Sequence, residues 1–276
     1  MLTRLTKFLL LLVIASAITG CGQSESARSR SSNGIRFIVT GNTNPVSPFT
    51  GFPERLPAVI DEMNRENPVL VVHTGNIVHG GYDWMGVRES DLIRQYDNFK
   101  KATRALDPLL YTCAGEMDQY NSSPEIYKRA LGMELYYSFN YGSIHFIILN
   151  LPENTVMGKD DAQSEWLRRD LEENRDAAAI FVFSHHALFN YRTKKAQHGS
   201  ADELHSLLSR YPVAAVFSGN GSRHAVINKN GITYHVAGCG GFNRVDWCYY
   251  YTQYYVVDYN GKDFRVRGKK MNFREN

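Results

Sequence analysis

Five short segments of this 276-residue chain concentrate side chains able to bind metals or move protons. They read Thr40-Gly41-Asn42-Thr43-Asn44, Thr74-Gly75-Asn76-Ile77-Val78-His79-Gly80-Gly81, Ala114-Gly115-Glu116-Met117-Asp118, Ser184-His185-His186 and Ser218-Gly219-Asn220-Gly221-Ser222-Arg223-His224. Imidazoles and carboxylates are the groups a transition-series dication takes, and three of them beside an open position make a mononuclear zinc site. Such a site could draw on Glu116, His185, His186 and His224. His73 lies inside an apolar run and reads as a hydrogen-bonded core histidine, while His79 and His224 read as exposed loop residues. The remaining polar positions are amides and hydroxyls, which hydrogen-bond without bringing charge.

These segments must be held by the elements before them. Ile35 to Thr40 and Val69 to His73 are β-rich runs, and between them Arg55 to Asn67 carries helical spacing at Leu56, Val59, Ile60 and Met63. A polar helix is predicted from Ser90 to Ala105, then a strand over Leu109 to Cys113, in which Cys113 reads as a small buried hydrophobe. Tyr136 to Asn140 and Ile144 to Asn150 form a hairpin around Tyr141-Gly142, and a helix follows from Gln163 to Asn174. Strands are predicted at Ala179 to Ser184, Ala214 to Ser218, Thr233 to Ala237 and Tyr249 to Val257, with Asn260-Gly261 as a primed hairpin turn. Strand and helix alternate first and hairpins come later, which makes this an α/β chain of mixed α+β character with helices outside the sheets. Each polar segment follows a strand, where sites gather in such folds.

In order and in strand context the five segments resemble the blocks of the calcineurin-like metallophosphoesterases: Asp-x-His, Gly-Asp, Gly-Asn-His-Asp/Glu, His and Gly-His-x-His. The spacers match as well, among them Tyr136 to Gly142, Ile144 to Leu149, Gln163 with Trp166-Leu167, and Asn230 to Tyr234 with Gly238 to Gly241. The resemblance implies two mixed β-sheets packed face to face, with helices on both outer sides, in a four-layer αββα sandwich.

Active relatives hold two metal ions about 3.5 to 4 Å apart that polarise a phosphoester and activate a water. Carried over position by position, the first block's ligands become Asn42 and Asn44, and the bridging aspartate becomes Asn76. The third block's Asn becomes Glu116, and its proton-donating His becomes Met117, whose thioether has no proton to give. The acid that follows is Asp118, which is expected to cap its loop. His185 is retained, while the fifth block's histidines become Asn220 and Ser222. The resemblance thus implies a dinuclear site mostly lost and no catalytic residue. No cofactor is expected; an active form would need a divalent metal such as Mn, Fe or Zn.

The N-terminus gives a location. Arg4 and Lys7 precede an apolar run of about 11 residues from Phe8 to Ile18, h-region length against the ~20 residues that span a bilayer. It ends in Ile18-Thr19-Gly20-Cys21, which resembles the bacterial lipobox; the alternative is an ordinary secretory signal that contains a cysteine. Residues 1–20 are read as the signal peptide, 21–34 as the lipidated Cys21 and a Ser-rich tether, and 35–276 as the folded domain. Lipid chains would anchor the protein to the cell membrane or outer membrane, facing the periplasm or exterior. Cys239 and Cys248 are candidates for a disulfide in that compartment.

Removing Arg4 and Lys7 takes the 31 basic residues to 29, against 28 acidic, and a near-neutral domain offers no electrostatic case for nucleic acid. The sequence therefore points to a membrane-anchored, non-catalytic domain that binds or scaffolds at the envelope, with a protein or glycan as partner. Trp84 is a candidate pocket-lining residue, and Tyr249 to Tyr251 with Tyr254 and Tyr255 are candidate surface aromatics, although alternate tyrosines in a strand more commonly just cover a sheet face. An extracytoplasmic phosphoesterase with an atypical metal site is the alternative, and a subunit supporting an active paralogue is a third reading.

Overall fold

The structure is a computed structural model that describes residues 34–51, 55–151, 161–190, 192–196, 199–220, 225–237 and 252–271. Cys21, Ser222, His224, Cys239, Cys248 and Tyr249 to Tyr251 lie outside these residues.

Strand β1 (Ile35–Thr40) leads through α1 (Leu56–Arg65) to β2 (Leu70–His73), and α2 (Glu89–Thr103) leads to β3 (Leu109–Thr112). Helix α3 (Glu125–Leu131) precedes the antiparallel pair β4 (Tyr137–Tyr141) and β5 (Ile144–Ile148). Then come α4 (Ala162–Glu173), β6 (Ala179–Ser184), α5 (Ala201–Leu208), β7 (Val213–Ser218), β8 (Ala225–Lys229), β9 (Ile232–Val236), β10 (Thr252–Tyr259) and β11 (Phe264–Met271). The strands form a five-stranded sheet in the order β11-β10-β1-β2-β3 and a six-stranded sheet in the order β4-β5-β6-β7-β9-β8. Both are mixed, with β1-β2, β2-β3, β5-β6, β6-β7 and β7-β9 pairing in parallel.

The run AIFVFS of β6 is buried at every position, as a central parallel strand covered on both faces must be. The edge strand β11 instead mixes apolar residues with Arg265, Arg267, Lys269 and Lys270, and charges on an edge discourage pairing with another chain. Between the sheets lies an aromatic core. Phe37 of β1 meets Phe146, Phe181, Phe183 and Phe217 of the other sheet edge-on, with centroids 5.0 to 6.2 Å apart. Leu167, Leu171, Leu204 and Leu208 of α4 and α5 cover the outer face of the six-stranded sheet. Leu56, Ile60, Leu92, Tyr96 and Phe99 of α1 and α2 form the corresponding cluster beside the five-stranded sheet. The expected four-layer αββα sandwich is therefore present.

Several local expectations need correction. The helix predicted from Ser90 is amphipathic rather than simply polar, since α2 buries Leu92, Gln95, Tyr96 and Phe99. Tyr254 and Tyr255 are 1% and 2% exposed, pointing to opposite faces of β10, so of the two readings for them the sheet-covering one holds and the surface row does not. The β10–β11 turn is not a two-residue primed turn. Tyr259 pairs with Phe264, which leaves the loop 260–263, and Asn260 Oδ1 accepts from the N–H groups of Lys262 and Asp263. Cys113 is fully buried and unpaired by disulfide, as its apolar setting predicts.

Candidate functional site

The C-terminal ends of β1, β2, β3, β6 and β7 converge, and backbone bonds sew their loops together. Asn42 N–H donates to Gly75 O at 2.9 Å and Asn44 N–H to Asn76 O at 3.0 Å; both Gly219 N–H and Asn220 N–H donate to His185 O at 2.8 Å. Close approach requires glycine here. A Cβ on Gly75, whose φ is +99°, would lie 2.6 Å from His185 Nδ1, and one on Gly115 would lie 2.3 Å from Asn76 Oδ1. Asn42 and Asn76 themselves sit at φ 53° and 56°, left-handed backbone that asparagine tolerates better than most side chains.

Asp118 organises the floor. Fully buried in a turn of 3-10 helix, Glu116–Asp118, its carboxylate accepts N–H bonds from Gly115 (2.8 Å), Asn76 (2.9 Å), Ile77 (2.7 Å) and Val78 (3.0 Å). Burial pushes its pKa up to about 6, and the backbone donors from Gly115, Val78 and Ile77 oppose that shift. The capping role expected of this residue is what the structure shows, joining the β2 and β3 loops.

The amides of these loops are spent on internal bonds. Asn76 Nδ2 donates to Glu116 Oε1 at 2.9 Å while its Oδ1 accepts from Met117 N–H at 2.9 Å. Asn42 Nδ2 donates to Gly219 O at 2.8 Å, and Asn44 Nδ2 turns to its neighbour, Pro45 O, at 3.4 Å. Asn220 Nδ2 donates to His186 Nδ1 at 3.1 Å.

Two histidines and one carboxylate remain at the centre. His185, 1% exposed, donates from Nδ1 to Thr74 O at 2.6 Å, which turns Nε2 toward Glu116 Oε2 at 2.5 Å. That contact is an ion pair rather than an aligned hydrogen bond, since Nε2 is directed off the line to the oxygen. Burial alone would lower the His185 pKa and raise that of Glu116; their mutual attraction reverses both, so His185 is raised and Glu116 lowered. His186 Nε2 lies 3.5 Å from the same Oε2.

The structure thus unites Asn42, Asn76, Glu116, Met117, His185, His186 and Asn220. His73 stands behind them as a core residue, accepting from Gly75 N–H through Nδ1 (3.1 Å) and pairing Nε2 with Thr43 Oγ1 (3.0 Å). His79 is not merely exposed: its ring meets Pro45 O at 3.0 Å and its N–H donates to Gln95 Oε1 at 2.7 Å. Trp84 is 78% exposed beside Tyr82 and stands out in solvent, not lining a pocket. Sequence reasoning missed buried Gln95, which also donates to His79 O. Its signal was an uncharged polar side chain on the stripe Leu92, Tyr96, Phe99.

A bridging ligand must give electron pairs to two dications, and at that position Asn76 is a neutral amide with both of its ends already bonded. The dinuclear centre does not fit these residues.

Residues 35–219 match the family described as calcineurin-like phosphoesterase. The chain belongs to that family. Among solved structures, this calcineurin-like phosphoesterase domain is similar to a purple acid phosphatase from yellow lupin (Lupinus luteus) seeds, at 14% identity and a TM-score of 0.66. That match covers 87% of this chain but 52% of the lupin chain, about half the length of the plant protein. A dimetal phosphatase from Danio rerio matches at 14% identity and a TM-score of 0.62, over 84% of this chain and 98% of that one. GAP50, described as the anchor in the inner membrane complex of Plasmodium, matches at 16% identity and a TM-score of 0.57, over 88% of this chain and 90% of its own. A comparison with curated proteins gave no match. At such identities the structural likenesses establish the fold, and the site must be read from this chain's own residues.

Proposed function

We propose that this phosphoesterase-family domain is a non-catalytic binding or scaffolding protein, held at the cell envelope by lipid on Cys21. The observation that carries the reading is the bonding of the amides. Asn42 and Asn76 bind loop atoms instead of offering charge to metals, and Met117 stands where a proton donor would be. Such a cluster keeps the loop geometry of a hydrolase while supplying neither a bridged metal pair nor a general acid.

The domain enters β1 at Ile35, and the site lies beyond Thr40 at the other end of that strand. A protein or glycan in the periplasm or exterior is the partner proposed for those loops. GAP50 supports the plausibility of such a role, as a protein of this fold described as an anchor.

The test is turnover. The purified full chain, assayed on a chromogenic phosphodiester and phosphomonoester with added manganese or zinc, is expected to hydrolyse neither above the protein-free rate. Metal-dependent hydrolysis that His185→Ala abolishes would instead establish the alternative, an extracytoplasmic phosphoesterase with an atypical metal site.

A further inference from the structure

Although the two-metal centre does not fit, three potential ligands converge. Glu116, His185 and His186 can each offer an atom, and these atoms all lie within 4.8 Å of one another. His145 lies between Asn140 and Asp170 and His73 between Gly75 and Thr43, so those two buried rings are engaged elsewhere. We propose that Glu116, His185 and His186 form a site for a single divalent cation of the zinc class, with a coordination position open to solvent. The inference rests on the non-catalytic reading, and gives the pocket a ligand of its own.

His185 is prepared for the role. Donation from Nδ1 to Thr74 O fixes the ring and directs Nε2 inward, the outer-shell pattern typical of a metal-bound imidazole. That Nε2 is buried and makes no aligned hydrogen bond, although Glu116 Oε2 is 2.5 Å away. Ligands about 2.0 to 2.1 Å from a tetrahedral zinc stand roughly 3.3 Å apart. His186 Nε2 and Glu116 Oε2, at 3.5 Å, already have that spacing, and Glu116 would withdraw from His185 by less than about 1 Å to match it.

Glu116 is held by its other oxygen. Asn76 Nδ2 binds Oε1, so Oε2 is the atom turned toward the histidines. A metal on His186 Nε2 places the ring proton on Nδ1, and Asn220 would meet it by presenting Oδ1 in place of Nδ2, a rotation of its amide. Two nitrogens and one carboxylate oxygen suit zinc and its neighbours, whereas calcium and magnesium favour oxygen throughout. The Glu116 side chain is 37% exposed, which leaves the remaining coordination position to water. Glu116 follows β3 of one sheet and both histidines follow β6 of the other, so the cation would clamp the two sheets together at the loop pole.

The experiment is a titration of the full chain, purified in detergent and stripped with chelator, with zinc by calorimetry and with cobalt(II) by visible absorption. One equivalent per chain is expected, with the d–d bands of four-coordinate cobalt and a raised Tm. Glu116→Gln, which keeps the Asn76 bond, and His186→Gln should each weaken binding by about 100-fold while leaving circular dichroism unchanged. Absence of binding, or binding that neither variant weakens, would overturn the single-cation site while leaving the non-catalytic reading intact. Two equivalents with phosphoester turnover would overturn both.

Discussion

Asp118→Ala is expected to destabilise the domain by on the order of 5 kcal/mol, because it leaves four buried N–H groups without an acceptor. Each orphaned donor costs about 1–3 kcal/mol, and the loops after β2 and β3 are too tightly joined for water to replace all four bonds. Asp118→Asn should cost less, since an amide oxygen can still accept while its Nδ2 faces donors it cannot satisfy. Urea unfolding followed by circular dichroism measures the difference. A loss below about 1 kcal/mol for the alanine variant would show that the carboxylate does not organise the loops.

Acid should destabilise the protein through His73, and the sign follows from its bonding. Burial, with a smaller contribution from the His185 charge, lowers the His73 pKa from 6.5 to about 3. Nδ1 accepts from Gly75 N–H, so a proton there would displace that bond as well as charge a buried ring. The unfolded chain takes up the proton near pH 6.5 while the folded chain does not. The stabilisation is thus complete above pH 6.5 and is lost as pH falls toward 3, up to about 1.4 kcal/mol per pH unit and on the order of 5 kcal/mol in all. His73→Asn retains an acceptor for Gly75 and stays neutral, so its stability should depend less steeply on pH across that window. Glu116, lowered by His185, adds loss of the same sign at lower pH, and Asp118, raised by burial, works against it. Subtracting the two proteins' profiles isolates the histidine. Parallel profiles between pH 6.5 and 3 would contradict the assignment.

Both expectations concern groups whose residue types were visible in the sequence but whose partners were not. Central elements could be read because their burial leaves a continuous signature: IRFIVT and AIFVFS can be little else than strands. Weaker patterns failed where burial is partial or the element short. The seven-residue α3 and the charged edge strand β11 have little periodicity of their own, and their place comes from packing and pairing. For Tyr254 and Tyr255 the sequence left a surface row open beside the sheet-covering reading, because residue type alone does not tell an exposed strand face from a covered one; β10 buries both, one on each face.

At the site, Glu116 and His185 were singled out by charge and by their place after β3 and β6, and the fold brings them into contact. The carbonyl of Thr74 that aims His185, and the four N–H groups on Asp118, belong to the backbone and carry no residue-type signal. Only the packed loops supply them.

The proposed exchange of metal charge for amide hydrogen bonds in this family scaffold is tested most directly by elemental analysis. Full chain purified without chelators from cells supplied with both manganese and zinc should carry no more than one metal ion per molecule, whatever its stability. Two ions per chain, lost together on replacing His185 by alanine, would contradict it.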